Sequence, residues 1–541
     1  MNELLWPKNP ETDAVAGPGD GEAVAAPGRS HQTVLILDFG SQYTQLIARR
    51  VRENRVFCEI LGCQVSADAV AARAPIGIVL SGGPDSVYAE DAPRLDADIL
   101  SLGIPVLGIC YGMQLIAQRL GGEVSAAEAR EYGRAEIEVL ESGCLFRDLK
   151  PRQPVWMSHG DRIEQPPAGF VVTARSENAP IVAFEHAGRR IFGLQFHPEV
   201  SHTTAGVEIL RNFLFHACGA AGDWVMASFL DRAEASLAAR IGTSGVVCGI
   251  SGGVDSSVTA LLLSRAIPRE QLHLLFIDNG LLRKEEASQV IHALRDDLRL
   301  PVALVDAREE FLTALATVQD PELKRKTIGR LFVKIFRRVG RDFSDARFLA
   351  QGTLYPDVIE SSAVRGPSAV IKSHHNVGGL PAELGFELIE PLRFLFKDEV
   401  RTLGRELGLP ENFIRRHPFP GPGLAVRVIG AVTRERVALL QEADAIFLDE
   451  LRRFGYYDRV SQAFAVLLPI KSVGVMGDER TYENVVALRS ADTGDFMTAD
   501  WSPLPHELLA SASSRIVNEV DGVNRIVYDI TSKPPGTIEW E

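Results

Sequence analysis

Cysteine is scarce in this chain, and no two are spaced to work as a pair. The six (Cys58, Cys63, Cys110, Cys144, Cys218 and Cys248) form no CxxC motif and no regular framework, which argues against a disulfide scaffold and for a reducing, cytoplasmic setting. No apolar run approaches the roughly 18 residues a membrane-spanning helix needs, and the N-terminus lacks the charged-then-apolar order of a signal peptide. Basic excess is missing too. Lys and Arg number 57 against 71 Asp and Glu, a net charge of −14, so general attraction to nucleic acid is excluded and any phosphate site must be built locally. Residues 1–32 mix Pro, Gly, Ala and acids without periodicity, which predicts a disordered extension.

What is present is ample apolar material, 46% of 541 residues, too much chain for one core. Short β-branched runs (Thr33 to Asp38, Gly77 to Leu80, Pro105 to Ile109, Ile191 to Phe196) alternate with glycine turns and helical periodicity, ending in a helix over Ala205 to Ala217. This predicts a mostly parallel α/β sheet over residues 33–220. A second α/β domain, 221–416, opens with a helix over Trp224 to Arg240 and continues through strands at Gly245 to Gly249, Leu272 to Ile277 and Phe348 to Ala350. The proline-dense stretch from His417 to Gly423 reads as a linker or rigid turn. Residues 417–541 then form a smaller α+β domain.

Gly108-Ile-Cys110-Tyr111-Gly112 falls between an apolar strand and a helix expected near Met113, the setting of a nucleophile elbow. A sulfur at a helix N-terminus faces unpaired N–H groups that favour an anion. Taken alone, Cys110 reads more readily as a structural cysteine behind a core strand. Possible partners lie in Phe196-His197-Pro198-Glu199, where extended backbone puts His197 and Glu199 on one side, Glu199 holding the ring and the ring acting as base. A Gly-Gly-Pro turn at Gly82 to Pro84 could aim N–H groups at an oxyanion.

These three segments together resemble the class I, triad-type glutamine amidotransferases. The resemblance implies that Cys110 attacks the glutamine carboxamide, with His197 and Glu199 completing the triad. It implies an oxyanion hole from the N–H groups of Gly83 and Tyr111, and a glutamine pocket from Gln114, Ser158, His159, Gly160 and Asp161.

Ser251-Gly252-Gly253-Val254-Asp255-Ser256-Ser257 follows a strand and precedes an apolar helix expected over Val258 to Ser264. Glycines admit phosphate to the backbone while hydroxyls and a helix N-terminus donate to it. It is no Walker A loop, since no Gly-Lys-Ser/Thr follows. Asp255 could hold Mg²⁺ between phosphates. Asp278-Asn279-Gly280 and Gln351-Gly352-Thr353 close later strands, where open α/β sheets bind ligands.

The SGGVDSS loop resembles that of the N-type ATP pyrophosphatases. The strings QGTLYPDVIES, IKSHHNVGGLP, HPFPGPGLAVR and TSKPPGTIEWE extend the likeness to the glutamine-hydrolysing GMP synthase family. That resemblance implies ATP, Mg²⁺, glutamine and XMP as cofactors and substrates, and a homodimer built on the last domain. ATP contacts are implied at Ser251 to Ser257, Asp278, Gly352 and Lys372, with His374 and His375 in a lid. XMP contacts are implied at Arg325, Arg525, Lys533 and Glu539, and Asp357 with Glu360 would share a helix face in activating the cysteine domain or arranging catalysis. On residues alone, Lys324-Arg325-Lys326 reads as an exposed helix face. Competing readings are another glutamine-dependent adenylating amidotransferase, or a silent nucleotide sensor.

Overall fold

The computed structural model describes residues 31–340, 343, 345–362, 385–476, 479–493 and 498–541. Among these the chain divides into two compact units, the first running to Val225 and also taking in Val358 to Ser362, the second beginning at Met226 and resuming after that segment. The division falls a few residues beyond position 220 because Ala221 to Trp224 are tied back onto the first unit. The Ala221 N–H donates to Gln32 Oε1 at 2.6 Å, and Gln32 N–H reaches Asp223 Oδ2 at 3.4 Å. His31 packs edge-on to Trp224, whose ring also meets Phe57 beneath the Arg52 guanidinium. His31 and Gln32, expected within the extension, are therefore packed, and the following helix is Met226–Ile241.

The first unit holds nine strands: β1 (Thr33–Asp38), β2 (Phe57–Gly62), β3 (Gly77–Leu80), β4 (Val106–Ile109), β5 (Glu123–Val139), β6 (Arg152–Gln165), β7 (Val171–Ser176), β8 (Ala183–His186) and β9 (Ile191–Leu194). Their order in the sheet is β2-β1-β3-β4-β9-β8-β7-β5-β6. Strands β2, β1, β3, β4 and β9 run parallel, and from β9 to β6 the neighbours are antiparallel. The parallel strands read as continuous apolar runs because both faces are covered: Leu35, Ile36, Leu37, Ile78, Val79 and Leu80 have no exposed surface.

In the second unit β10 (Gly245–Ile250), β11 (Leu272–Asp278), β12 (Val302–Asp306), β13 (Ala346–Ala350) and β14 (Glu387–Ile389) form a parallel sheet of order β12-β11-β10-β13-β14. The chain leaves β10 toward one edge and returns to β13 on its other side. The order thus reverses at β10, and a crevice opens beyond its carboxyl end. A further sheet follows, β15 (Gln462–Met476), β16 (Glu479–Asp492) and β17 (Asp500–Trp501) antiparallel, with β18 (Val523–Asp529) parallel to β16.

The two sheets of this unit share one hydrophobic core. It runs from Ile277, Leu281 and Phe311 through Leu424 and Val428 to Phe447, Leu467, Val486 and Val523. Lys324 lies inside it, contrary to the exposed face expected for residues 324–326. Its side chain is fully buried, its ammonium donates to the carbonyls of Val428 at 2.8 Å and Ala425 at 3.1 Å, and it is ion-paired with Glu541. Burial pushes this ammonium below its ordinary pKa, and the Glu541 carboxylate offsets only part of that. Among the described residues no helix is long and apolar enough to cross a membrane.

Candidate functional site

Two strand-ending turns, one in each unit, carry the candidate chemistry. The first leaves buried β4 at Cys110, whose backbone sits at φ 50°, ψ −106°, outside the comfortable regions for a side-chain-bearing residue. The helix Tyr111–Arg119 begins at the next residue. Both flanking glycines are sterically required. A Cβ on Gly108 would lie 2.6 Å from the Gly112 carbonyl carbon, and one on Gly112 would lie 2.5 Å from the Leu80 carbonyl oxygen. The sulfur therefore stands at the start of a helix whose first-turn N–H groups have no intrahelical partner.

Cys110 Sγ lies 3.7 Å from the Ser158 carbonyl and 3.7 Å from Gln195 Nε2, and Cys110 is among the groups that raise the proton affinity of the His197 ring. His197 Nδ1 meets Glu199 Oε1 at 2.7 Å, both side chains being buried. Thr203 Oγ1 donates to the His197 carbonyl at 2.6 Å, Arg50 Nε donates to the Glu199 carbonyl at 3.0 Å, and Tyr43 packs edge-on to the imidazole. Burial alone would depress the ring's pKa. The Glu199 charge and the hydrogen bonds to Cys110 and Glu199 outweigh it, so the ring binds a proton well above its usual range. The pairing arises differently from the expectation: β9 stops at Leu194, and Pro198 and Glu199 form a turn rather than extended chain. That turn folds the carboxylate back under the ring.

Above Cys110 opens a cavity of about 370 Å³ lined by Gly83, Tyr111, Gln114, Ser158, His159, Gly160 and Asp161, every residue expected there. Gly83 packs against the Tyr111 ring, where a Cβ would come within 3.1 Å. Gln114 Nε2 donates to the Asp161 carbonyl at 3.2 Å, and Tyr88 Oη donates to Asp161 Oδ1 at 2.7 Å. The imidazole of His159 is engaged from below, Nδ1 with the Asp161 carbonyl at 2.9 Å and Nε2 with buried Glu131 at 3.1 Å. Arg130 and Tyr132 of β5 also line the cavity. They were missed because β5 has no local motif; only its pairing with β6 brings them here.

The second turn follows β10. Gly252 holds φ +76°, and a Cβ there would lie 2.8 Å from Val290. The helix starts at Val254, four residues before the expected Val258, so Asp255, Ser256 and Ser257 form its first turn. Ser251 N–H donates to Ser256 Oγ at 3.2 Å, the two hydroxyls are 3.1 Å apart, and Ser257 Oγ donates to the Gly253 carbonyl at 2.9 Å. Gly352 abuts this turn, where a Cβ would meet Asp255 and Thr259 at 3.2 Å.

A cavity of about 430 Å³ opens against Ser251, Gly253, Val254 and Asp255. Asn279 lines it, whereas Asp278 lines a neighbouring cavity of about 750 Å³ and accepts from Gly280 N–H at 2.9 Å. His417, Pro418, Phe419, Pro420, Gly421 and Gly423 form one wall. Of the two readings of this stretch, linker or rigid turn, the second fits: it forms part of the site.

Sequence reasoning also passed over Lys397, whose ammonium pairs with Asp255 Oδ2, and Arg401 and Arg416, which line the same cavity. The remaining Asp255 oxygen, Oδ1, is buried with no hydrogen-bond partner among the described residues. One unpaired hard oxygen beside a phosphate loop suits Mg²⁺, which takes one or two carboxylates and completes its shell from phosphate and water. Among the described residues no group of three or more His, Cys, Asp or Glu could hold a metal unaided.

His417 seals the wall. Its ring stacks on Tyr457 at 4.0 Å, Nε2 donates to the Tyr457 carbonyl at 2.8 Å, and Nδ1 accepts from Ala463 N–H at 3.2 Å. Burial, helped by the charges of Arg283 and Arg452, pushes it from 6.5 down to about 4. The unfolded chain then binds this proton near pH 6.5 and the folded chain only near 4, so acid favours unfolding throughout that window. The loss should reach roughly 3 kcal/mol. Urea midpoints should fall between those pH values in the wild-type chain, and fall less in His417→Asn.

The residues expected at XMP are not gathered around this cavity. Arg325 donates to the Glu541 carbonyl at 2.6 Å, and Arg525 on β18 donates to Ser472. Glu539 is held by Arg427 at 2.8 Å and by Gln462 at 2.8 Å. Lys533 pairs its backbone with Ala499. None of the four lines the cavity beside Ser251. Asp357 caps its own helix, accepting from Leu354 N–H at 2.9 Å. Lys372, His374 and His375 lie outside the described residues, as does the Glu360 side chain.

A thiol elbow on one sheet and a Ser-Gly-Gly phosphate loop on another define an amidotransferase joined to an ATP-using amidating enzyme. Family profiles agree: class-I glutamine amidotransferase matches residues 35–217, NAD synthase 231–329 and the GMP synthase C-terminal domain 449–540. The chain is 55% identical over 508 residues to GMP synthase [glutamine-hydrolyzing] of Carboxydothermus hydrogenoformans, covering 94% of this chain and 99% of that one. It is 56% identical over 516 residues to the enzyme of the same name from Chlorobium chlorochromatii (94% and 100%), and 57% over 511 to that of Solidesulfovibrio magneticus (94% and 99%). The chain belongs to the glutamine-hydrolysing GMP synthase family.

Proposed function

We propose that this chain converts XMP to GMP, taking nitrogen from glutamine and driving the exchange with ATP. One observation carries the reading: a triad-bearing elbow and a phosphate loop coexist on a chain alike, over 94% of its length, to enzymes named for that product.

In the first unit His197 accepts the Cys110 thiol proton as Sγ bonds to the glutamine side-chain carbonyl carbon. Gly83 and Tyr111 N–H groups receive the oxyanion, for which preorganised donors contribute about 10²–10³ in rate. The carbon–nitrogen bond then breaks, His197 returns its proton to the departing nitrogen, and ammonia leaves a thioester. Water, deprotonated by His197, displaces the sulfur and yields glutamate. Glu199 keeps the ring oriented and stabilises its cationic form. The elevated proton affinity of His197 suits its part as acceptor of the thiol proton.

In the second unit the XMP C2 oxygen bonds to the ATP α-phosphorus and pyrophosphate departs. Adenylation matters because a bare oxygen leaves poorly whereas AMP leaves readily when ammonia attacks C2. Ser251 to Ser257 receive the phosphates through backbone N–H groups and hydroxyls, with Gly352 admitting the close approach. Asp255 would hold Mg²⁺ through its unpaired oxygen, and that ion supplies neutralisation of phosphate charge when bound. Arg325, Arg525, Lys533 and Glu539 are assigned to XMP, the cations to its phosphate, Lys372 to ATP, and Asp278 to the nucleotide through its edge of the sheet.

Supplying ATP, Mg²⁺, glutamine and candidate acceptors should give AMP and GMP with XMP. AMP formed with another acceptor but not with XMP would replace the substrate, and no AMP with any acceptor would favour a nucleotide sensor. A cytoplasmic homodimer completes the reading. Ile470, Val473, Val475, Tyr482, Val527 and Ile530 are exposed on the β15-β16-β18 sheet and the segment after it, an apolar surface suited to a second copy. Sedimentation should give twice the 59.0 kDa chain mass, and Val475→Asp should give monomers.

A further inference from the structure

Gln195 follows directly on β9, two residues before His197, and has no exposed surface. It does not line the cavity above Cys110. Its carboxamide faces the nucleophile instead, with Nε2 at 3.7 Å from Cys110 Sγ and Oε1 at 3.3 Å from Gln114 Nε2. The two ends of a carboxamide look alike, so its orientation is set by the groups it meets. The Asp161 carbonyl can only accept, so the end of Gln114 that meets it at 3.2 Å is the NH₂ group. That group offers its second hydrogen to Gln195, whose facing atom must then be the oxygen. The Gln195 NH₂ is left with the sulfur.

Cys110 therefore has two neighbours at one distance with opposite preferences. The Ser158 carbonyl, 3.7 Å from Sγ, favours a thiol that donates its hydrogen to it. An anionic sulfur is repelled by that oxygen and attracted by the Gln195 N–H groups. We infer that Gln195 is a further catalytic residue of the first unit, the donor that receives the negative charge on Cys110 Sγ when His197 takes the thiol proton. Gln114, which lines the cavity, is also a positioning residue that holds this donor in place. The inference rests on the amidotransferase reading of that unit and adds a residue outside both the triad and the oxyanion hole.

Cys110 is only 6% exposed, so water screens its sulfur little and a fixed dipole beside it acts strongly. The donor is already in place and needs no reordering when the charge appears. It serves the second half of the cycle as well. When water adds to the thioester carbon, the carbon–sulfur bond breaks and Sγ departs with the electron pair. The Gln195 N–H groups face that same charge until His197 returns a proton to the sulfur.

Two substitutions in the full chain separate folding from chemistry, each checked by thermal melting. Gln195→Met keeps an unbranched side chain and removes the donor. Gln195→Glu also removes it but keeps an oxygen for Gln114. Glutamate release is followed with ATP, Mg²⁺ and XMP present. In both variants kcat should fall about tenfold or more, the loss expected for a hydrogen bond to a charged group. The KM for glutamine should stay within about twofold, because Gln195 lies outside the cavity lining. Inactivation by iodoacetamide, which reacts with the thiolate, should have its rate-against-pH curve moved to higher pH by about one unit, the same tenfold read on the sulfur itself. A curve unmoved in both variants overturns the inference, and so does a rise in KM with kcat unchanged, since the residue would then only shape the pocket. If the wild-type chain releases no glutamate, the amidotransferase reading itself fails and takes this inference with it.

Discussion

Cys110→Ala should abolish GMP formation from glutamine while leaving formation from added ammonium salts. The drop with glutamine should be about 10⁴-fold or more, since removing a nucleophile leaves only oxyanion stabilisation and binding. Replacing sulfur by hydrogen empties a position at the head of a helix and disturbs little else, because the contacts of Cys110 are to the Ser158 carbonyl, Gln195 and His197. Parallel assays with the two nitrogen sources, each following AMP and GMP, decide the matter. Loss of both activities would show that the sites are not chemically separate.

Asp255→Asn should have the complementary effect. It keeps the shape of the first helical turn but removes the charge that Lys397 neutralises and turns the carboxylate, with its unpaired buried oxygen, into a neutral amide that is a poor ligand for Mg²⁺. Pyrophosphate release should fall by about a hundredfold or more even with ammonium supplied, the scale for losing a preorganised electrostatic contact. Raising Mg²⁺ should not restore it. Unchanged release would remove Asp255 from the phosphate site. Cys110→Ala thus fails only with glutamine, whereas Asp255→Asn fails with either nitrogen source.

Legibility from sequence followed the reach of each interaction. The elbow and the phosphate loop were readable because apolar strand, glycines and helix are contiguous, and the steric demand on Gly108, Gly112 and Gly252 is local. Where geometry depends on distant chain, reading failed or succeeded for another reason. His197 and Glu199 meet as expected, yet through a turn at Pro198 rather than an extended strand. Lys324 looked like one charge in a solvated run, since nothing nearby reveals Glu541, 217 positions away. Lys397 and Arg401 sit in a charge-rich amphipathic helix, and such a helix reads as a surface until the sheet beneath it is known. The prolines after His417 left linker and rigid turn both open, and nothing local revealed that their stiffness builds the wall of a cavity.

The common core beneath the two sheets of the second unit bears on how such a chain can be divided or inherited. Phe311, Leu424, Phe447 and Val523 belong to one buried core that spans position 417, so neither piece released by a cut there would keep its apolar surface from water. Nucleotide loop and C-terminal strands would be expected to melt as one cooperative block. Gene fusion or fission is then tolerable near Val225, where the main segment of the first unit ends, and not at position 417, which this core spans.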